Sequence, residues 1–335
     1  MGREWTADDV LGMVKGYQAS CVLVAAAELD LFSILASGPA ESRRIAQILD
    51  ADLRGTTTLL DALVALRLLD KHGGNYTLAP KAEELLLPNR PGSVLAMVRH
   101  HANCMRRWAR LARVVRNGQP VEREPSIRGE AADEESFIEA MHDVSSTTAP
   151  GLVEELEAVE FDHLLDIGGG PGTWTIAFLR ARPAATATLF DLPHVIPIAQ
   201  RHIEAEGLAD RVRLVAGDFA ADPLPAGADL AWLGAIVHQN SRQQNRRLFG
   251  SVFAALKRGG RLLIRDVLMD ESRTSPPAGA LFAVNMLVAT EGGGTFTFAE
   301  LQEDLEAVGF ADVVALRRDE AMNSIIQATR PADTE

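Results

Sequence analysis

The sequence predicts an α/β chain: an open, mostly parallel sheet with an antiparallel edge hairpin, preceded by a mainly α-helical winged-helix unit. Three observations carry this expectation. After residue 160, short apolar runs alternate with amphipathic helices, which implies a parallel sheet that takes ligands beyond the carboxyl ends of its strands. The last two apolar runs, Val313–Leu316 and Ser324–Thr329, lie close enough to pair antiparallel. The first ninety residues read helix, helix, helix, hairpin, the outline of a winged helix.

Composition narrows the function. At 335 residues the chain has room for two domains, and 47% hydrophobic with 24% charged residues is ordinary globular composition. Lys+Arg 33 against Asp+Glu 46 leaves −13, which argues against phosphate-backbone binding, where a basic face supplies the affinity. Cys21 and Cys104 are too few for a disulfide framework or a four-thiolate site, and no metal is expected. No apolar run reaches the ~18 residues of a membrane span. The opening MGREWTADDV lacks the basic-then-apolar layout of a signal peptide, so a cytoplasmic location is expected.

From Val14 to Leu35 the chain is apolar on nearly every helical face, which predicts a buried helix. A small unit cannot cover such a helix alone, so a partner subunit is expected to. Gly38-Pro39 breaks the chain; helices are expected at Glu41–Leu49 and Thr56–Leu69, then strands flanking Gly73-Gly74. A winged helix can bind DNA or serve as a dimerisation scaffold. Residues 1–90 hold 9 Lys+Arg against 12 Asp+Glu, and the second helix of the pair offers just Arg67, so nucleic-acid binding is not expected.

Residues 93–118 hold six Arg and no acid. Cys104, Trp108, Leu111 and Val115 share one helical side, and Arg106, Arg110 and Arg113 another. Either a solvated basic face backs a core stripe, or an Arg, His100 or His101 points at an acidic substrate. Pro120–Glu135 reads as a loop, and Phe137–Leu156 as a helix that Pro150 kinks or divides. The expected organisation is a winged-helix unit over 1–95, linking helices over 96–157 and a sheet domain over 158–335.

Within that last part, strands are predicted at His163–Ile167, Thr186–Phe190, Val212–Ala216, Leu230–Leu233 and Arg261–Val267. Helices fall near 174–182, 195–207, 243–257 and Phe298–Val308. The most informative stretch is LLDIGGGPGTW, with glycines at 168, 170 and 172 between a strand and a helix. Its spacing is not that of a dinucleotide fingerprint, because Thr173 follows Gly170 by three and Thr175 follows Gly172 by three. Asp166, two residues before the first glycine, would repel a pyrophosphate. An acid beside bare backbone suits a ligand with a cationic amino-acid part. Asp191 ends the second strand, where ribose hydroxyls are read in such folds. Asp218 ends the third, with Phe219 available to lie on a purine.

LLDIGGGPG, LFDLPHVI and LADRVRLVAGDF resemble the successive motifs of class I S-adenosylmethionine-dependent methyltransferases, whose sheet is Rossmann-like. More closely, the chain is similar to small-molecule O-methyltransferases with an N-terminal dimerisation domain, which ELDLFSIL, LLDALVALRLLDK and NYTLAP resemble. The resemblance implies a homodimer that uses S-adenosylmethionine and methylates a small-molecule acceptor, without nucleic acid or membrane as partner. It implies that Gly168 and Gly170 line the cofactor, Asp191 binds its ribose, and Leu192, Asp218 and Phe219 face its adenine. Ser145 matches a serine near the methionine end, and Met141 a methionine over the reacting group. The family's lysine before the base falls at Gly234.

WLGAIVHQNSRQQN resembles the family's segment with the catalytic histidine, which makes His238 the candidate general base. Its ordinary pKa of ~6.5 suits the task. Gln239-Asn240 replace the family's Asp-Trp, and the acids that orient the histidine are expected to fall at Arg265 and Thr295, with Asp266 one step away. A histidine without a carboxylate partner is a less fixed base, which keeps carbon or sulfur acceptors open beside oxygen. The expected acceptor pocket is lined by Met141, Trp232, His238, Phe282, Asn285 and Met286, although the spacing of Phe282 and Met286 also suits a core stripe.

Overall fold

The computed structural model describes residues 4–88, 90–156 and 159–332. They form two compact units, one taking the chain up to Arg106 together with Glu124–Val144, the other Arg107–Arg123 with Ser145 onward. The expected linking segment 96–157 is therefore no third piece; it is shared between the two.

The larger unit is built on seven strands: β1 (His163–Ile167), β2 (Thr186–Asp191), β3 (Val212–Ala216), β4 (Ala228–Gly234), β5 (Leu256–Asp266), β6 (Ala311–Arg317) and β7 (Ser324–Thr329). Their order is β3-β2-β1-β4-β5-β7-β6, with β1–β5 parallel and the β6–β7 hairpin antiparallel at one edge. The strands read as nearly continuous apolar runs because both faces are covered. Leu165, Ile167, Phe190, Ala231, Leu233, Leu262 and Ile264 share a core with Phe249 and Val252 of helix Arg242–Ala255 and Leu301 and Leu305 of helix Phe298–Glu306. Leu164, Leu189, Leu230, Trp232, Leu263 and Ile325 share a second core with Trp174 and Phe178 of helix Thr173–Ala181 and Ile203 of helix Ile196–Ala205.

Two capping boxes fix helices beside the carboxyl edge. Ser241 and Gln244 open Arg242–Ala255, and Thr297 and Glu300 open Phe298–Glu306. Arg242 and Arg246 both pair with the buried Asp304, which ties those helices together. β5 starts earlier than expected, at Leu256, since helix Arg242–Ala255 ends just before it. Pro150 does not kink a helix. It lies in the first turn of Ala149–Glu155, where its missing N–H costs nothing. The expected loop before Glu135 already turns helical at Glu130, where Asp133 accepts the backbone and side-chain hydrogen bonds of Ser126.

The smaller unit is a winged helix. Helices Ser42–Leu49 and Leu53–Ala65 precede a hairpin of Leu69–His72 and Asn75–Leu78, with Ala40–Glu41 as third strand. Its core gathers Leu31, Phe32, Ile45, Leu60, Leu63 and Tyr76. The apolar first helix, for which cover by a partner subunit is expected, is not covered within the chain. Val10, Leu11, Met13, Val14 and Tyr17 are largely exposed, and burial begins only near Ala26. The expectation that no segment reaches membrane-span length is corrected. Ala7–Glu28 runs 22 residues and is long and apolar enough to cross a membrane by length and composition, because the helix extends seven residues upstream of Val14.

Phe249 is fully enclosed between the sheet and Phe298–Glu306. Phe249→Ala is expected to cost about 3–5 kcal/mol, lowering the urea midpoint of the larger unit. A midpoint within error of the parent would contradict this packing.

Candidate active site

The carboxyl ends of β1, β2 and β3 place Asp166, Asp191 and Asp218 along one rim. Gly170, at φ +55°, donates its N–H to Asp191 Oδ2 at 2.7 Å, and a Cβ there would point into open space. At Gly168 a Cβ would stand 2.5 Å from Ile236 Cδ1 and 3.7 Å from the Phe219 ring, so only bare backbone fits. Asp191 Oδ1 accepts the N–H of the exposed Leu192 at 2.7 Å. Asp218 accepts from the Ala220 N–H at 2.8 Å, and Asp218 and Phe219 are half-buried. Ser145 is buried where helix Glu130–Ser145 ends.

Asp166 is 1% exposed, and its carboxylate accepts from the Thr175 hydroxyl at 2.6 Å and from the Thr175 N–H. Among the described residues it forms no ion pair. Burial, with Asp191 nearby, pushes its pKa up to about 7 against the pull of the Thr175 bonds. Burial raises Asp191 too, against the N–H donors of Gly170 and Leu192. Two desolvated acids beside a bare glycine turn form a cradle for a ligand that brings positive charge and its own hydroxyls. That donor set fits S-adenosylmethionine.

Further along the rim, His238 sits in a short turn, Val237–Gln239, directly after β4 and is 7% exposed. Its Nδ1 lies 2.9 and 3.0 Å from the two carboxylate oxygens of Asp266, the last residue of β5. Asp266 also accepts the N–H groups of Val267 at 2.8 Å and His238 at 3.3 Å. The expectation that Arg265 and Thr295 stand where orienting acids are needed is thereby corrected: Asp266 supplies the carboxylate. Successive strand residues leave opposite faces, so Asp266 meets His238 while Arg265 leaves on the other side. Thr295 is buried and its carbonyl accepts from Arg273. The backbone of His238 is held as well. Its carbonyl accepts from Gly294 at 2.9 Å, Asn245 bonds the carbonyl of Val237, and a Cβ on Gly293 would clash with the His238 carbonyl at 2.5 Å.

The expected acceptor residues divide. Phe282 meets the His238 ring edge to face, with centroids 4.8 Å apart. Asn285 is half-buried with its Oδ1 accepting from Trp108 Nε1 at 2.9 Å, so the Trp108 stripe serves this helix. Trp232 and Met286 are buried, Trp232 within the core against Trp174 and Phe178, because β4 turns it onto a helix-covered face. Met141 lies half-buried on Glu130–Ser145 in the other unit. Sequence reasoning put the orienting position at Arg265 and noted Asp266 one step away without assigning it to His238. The signal was available: it is the first acid in the strand next to the one that delivers the histidine.

This fold, with a glycine turn and acids at successive strand ends, defines the class of S-adenosylmethionine-dependent methyltransferases. Comparison with known proteins agrees. An O-methyltransferase domain matches residues 124–311, and an O-methyltransferase dimerisation domain matches residues 11–88. The chain is similar to 3-hydroxy-5-methyl-1-naphthoate 3-O-methyltransferase of Streptomyces sahachiroi, at 34% identity over 91% of this chain and 90% of the relative. It is also similar to the tetracenomycin polyketide synthesis 8-O-methyl transferase TcmO of Streptomyces glaucescens, at 34% identity over 91% of each chain. The structure of human N-acetylserotonin methyltransferase in complex with SAM superposes with a TM-score of 0.80 at 29% identity, covering 99% of this chain and 100% of that one. The chain belongs to the O-methyltransferase family with an N-terminal dimerisation domain, and its cofactor is S-adenosylmethionine.

If the ionised form of Asp166 receives the cofactor's ammonium, affinity for S-adenosylhomocysteine rises as pH goes from 6 to 8 and levels off above about 7. Calorimetry across that range checks it, and a flat profile would contradict it.

Proposed function

We propose that the protein methylates a phenolic hydroxyl of a small aromatic acceptor, with His238 as general base. The observation that carries this reading is the bond from His238 Nδ1 to Asp266. A carboxylate on Nδ1 holds that nitrogen as the donor, which leaves Nε2 as a proton acceptor. A free phenol, with a pKa of ~10, is mostly protonated at neutral pH, so a fixed base is worth ~10²–10⁴-fold. The names of the bacterial relatives, a hydroxynaphthoate enzyme and a polyketide enzyme, support an aromatic acceptor.

When bound, S-adenosylmethionine supplies a methyl carbon already activated by positive sulfur. The residues of this chain then position and deprotonate. Backbone at Gly168 and Gly170 and the carboxylate of Asp166 would take the amino-acid end, with Ser145 near it. Asp191 would bind the ribose hydroxyls, and Leu192, Asp218 and Phe219 would enclose the adenine. His238 Nε2 takes the phenolic proton as the acceptor oxygen bonds to the methyl carbon. The bound cofactor would supply the methyl group, with the electron pair of its C–S bond left on sulfur. Phe282 braces the imidazole edge-on, and the Asn285 amide nitrogen remains available to a polar group of the acceptor. A thiol, already partly ionised near neutral pH, or a carbon whose proton leaves after transfer would need the His238–Asp266 pair less.

His238→Gln is expected to lower kcat by about 10²–10⁴-fold on a phenol found by screening with labelled cofactor. Affinity for S-adenosylhomocysteine should stay within about twofold. Unaltered turnover would remove His238 as the base.

We further propose that the protein works as a cytoplasmic homodimer through the exposed apolar face of Ala7–Glu28, which the dimerisation-domain match spans from residue 11. Val14→Glu, which puts a charge in that face, is expected to shift the sedimentation coefficient from dimer to monomer. A dimer unperturbed at micromolar concentration would refute the assignment.

A further inference from the structure

Arg265 is 5% exposed at the carboxyl end of β5, yet it forms no ion pair among the described residues. Its Nε donates to Asn323 Oδ1 at 2.9 Å, and its guanidinium lies over the Trp174 ring, 4.6 Å from the centroid. No acceptor among the described residues meets its two terminal nitrogens. No carboxylate among the described residues bonds this guanidinium, and burial pulls its pKa down to about 10 against the charges of Asp266 and Asp319. A second donor on the same face is fully buried: Trp232 Nε1 has no partner among the described residues.

The sheet register brings these groups together. Gly234 on β4 pairs with Arg265 on β5, and Trp232 pairs with Leu263 on one side and Asp166 on the other. Paired residues leave the same face, so Asp166, Trp232, Gly234 and Arg265 share one face of the rim, opposite the face of Asp266. Gly234 contributes no side chain, and a Cβ there would lie 2.5 Å from Trp232 Nε1, so the orphan indole N–H borders that gap. Trp174 follows the glycine turn directly, which seats Arg265 beside the turn. Strands lie ~4.8 Å apart and residues rise ~3.3 Å, so Asp166 and Arg265 start roughly 12 Å from one another, two strand steps across and two residues along. That span admits an amino-acid zwitterion between an acid and a base.

We propose that Arg265 binds the carboxylate of the cofactor's amino-acid end, with the Trp232 N–H as a second donor, replacing the lysine for which this chain has Gly234. A guanidinium matches a carboxylate in a two-pronged bond, and Trp174 holds its plane. Asp166 and Arg265 thus read the two charges of one zwitterion from opposite sides. The assignment explains why the terminal nitrogens of a buried cation meet no acceptor among the described residues. It depends on the cofactor and not on His238 as base.

Calorimetry with S-adenosylhomocysteine and its decarboxylated analogue, which keeps the ammonium and lacks the carboxylate, tests it. The parent is expected to prefer S-adenosylhomocysteine by about 10- to 100-fold. Arg265→Met should erase that preference by weakening S-adenosylhomocysteine alone, and Arg265→Lys should restore part of it. Equal weakening of both ligands would make Arg265 a packing residue and overturn the proposal. An unchanged preference would overturn it as well, and so would a rise only in the acceptor's KM. Failure of the His238 reading would show in turnover and leave this preference intact.

Discussion

A carboxylate buried at the end of the first sheet strand without a cation is the constraint on which the site depends. Asp166 is desolvated by both neighbouring strands and the helix after the glycine turn, and among the described residues only Thr175 compensates it. Burying a lone carboxylate costs several kcal/mol unless it is paired or protonated. The protein therefore holds an unfavourable charge where a cationic ligand can neutralise it, a stability cost tolerated for function. The glycines belong to the same device. Side chains at 168 or 169 would strike Ile236 or Leu189, so the turn stays bare and the ligand meets backbone.

The chemistry depends on a second geometric fact, the adjacency of β4 and β5. One strand delivers His238 just past its end, and the other delivers Asp266 at its end. Neither residue sits on a free loop. The Ser241 capping box begins the next helix, Asn245 ties back to Val237, and the glycines at 293 and 294 pack on the carbonyl of His238. Such support would keep the proposed base within the narrow tolerance that proton transfer demands. The same strand alternation that turns Asp266 towards the histidine sends Arg265 to the other face, so one dipeptide would serve both proposed tasks.

The sheet was legible from sequence because each strand is buried on both faces and bounded by turn residues. β1, β3 and β7 lie where the apolar runs place them. The rim acids and glycines were legible for the same reason, since strand ends fix where their residues emerge. What failed depends on distance in sequence. His238 and Asp266 are 28 residues apart, and only the register distinguishes Asp266 from Arg265 as the partner. Trp232 looked like a pocket residue by proximity to His238, yet alternation along β4 turns it into the core. The first helix reads as needing cover from outside its own unit because it is apolar on nearly every face, and within the chain its start is exposed.

Replacing Asp166 by Asn tests the central claim most directly, because it keeps the hydrogen bond to Thr175 and removes the charge. Two quantities, the melting temperature of the free protein and the affinity for S-adenosylmethionine, should move in opposite senses. The account expects the melting temperature to rise and the affinity to fall by an order of magnitude or more. A variant that melts lower and still binds as tightly would show that the buried charge neither strains the free protein nor holds the ligand.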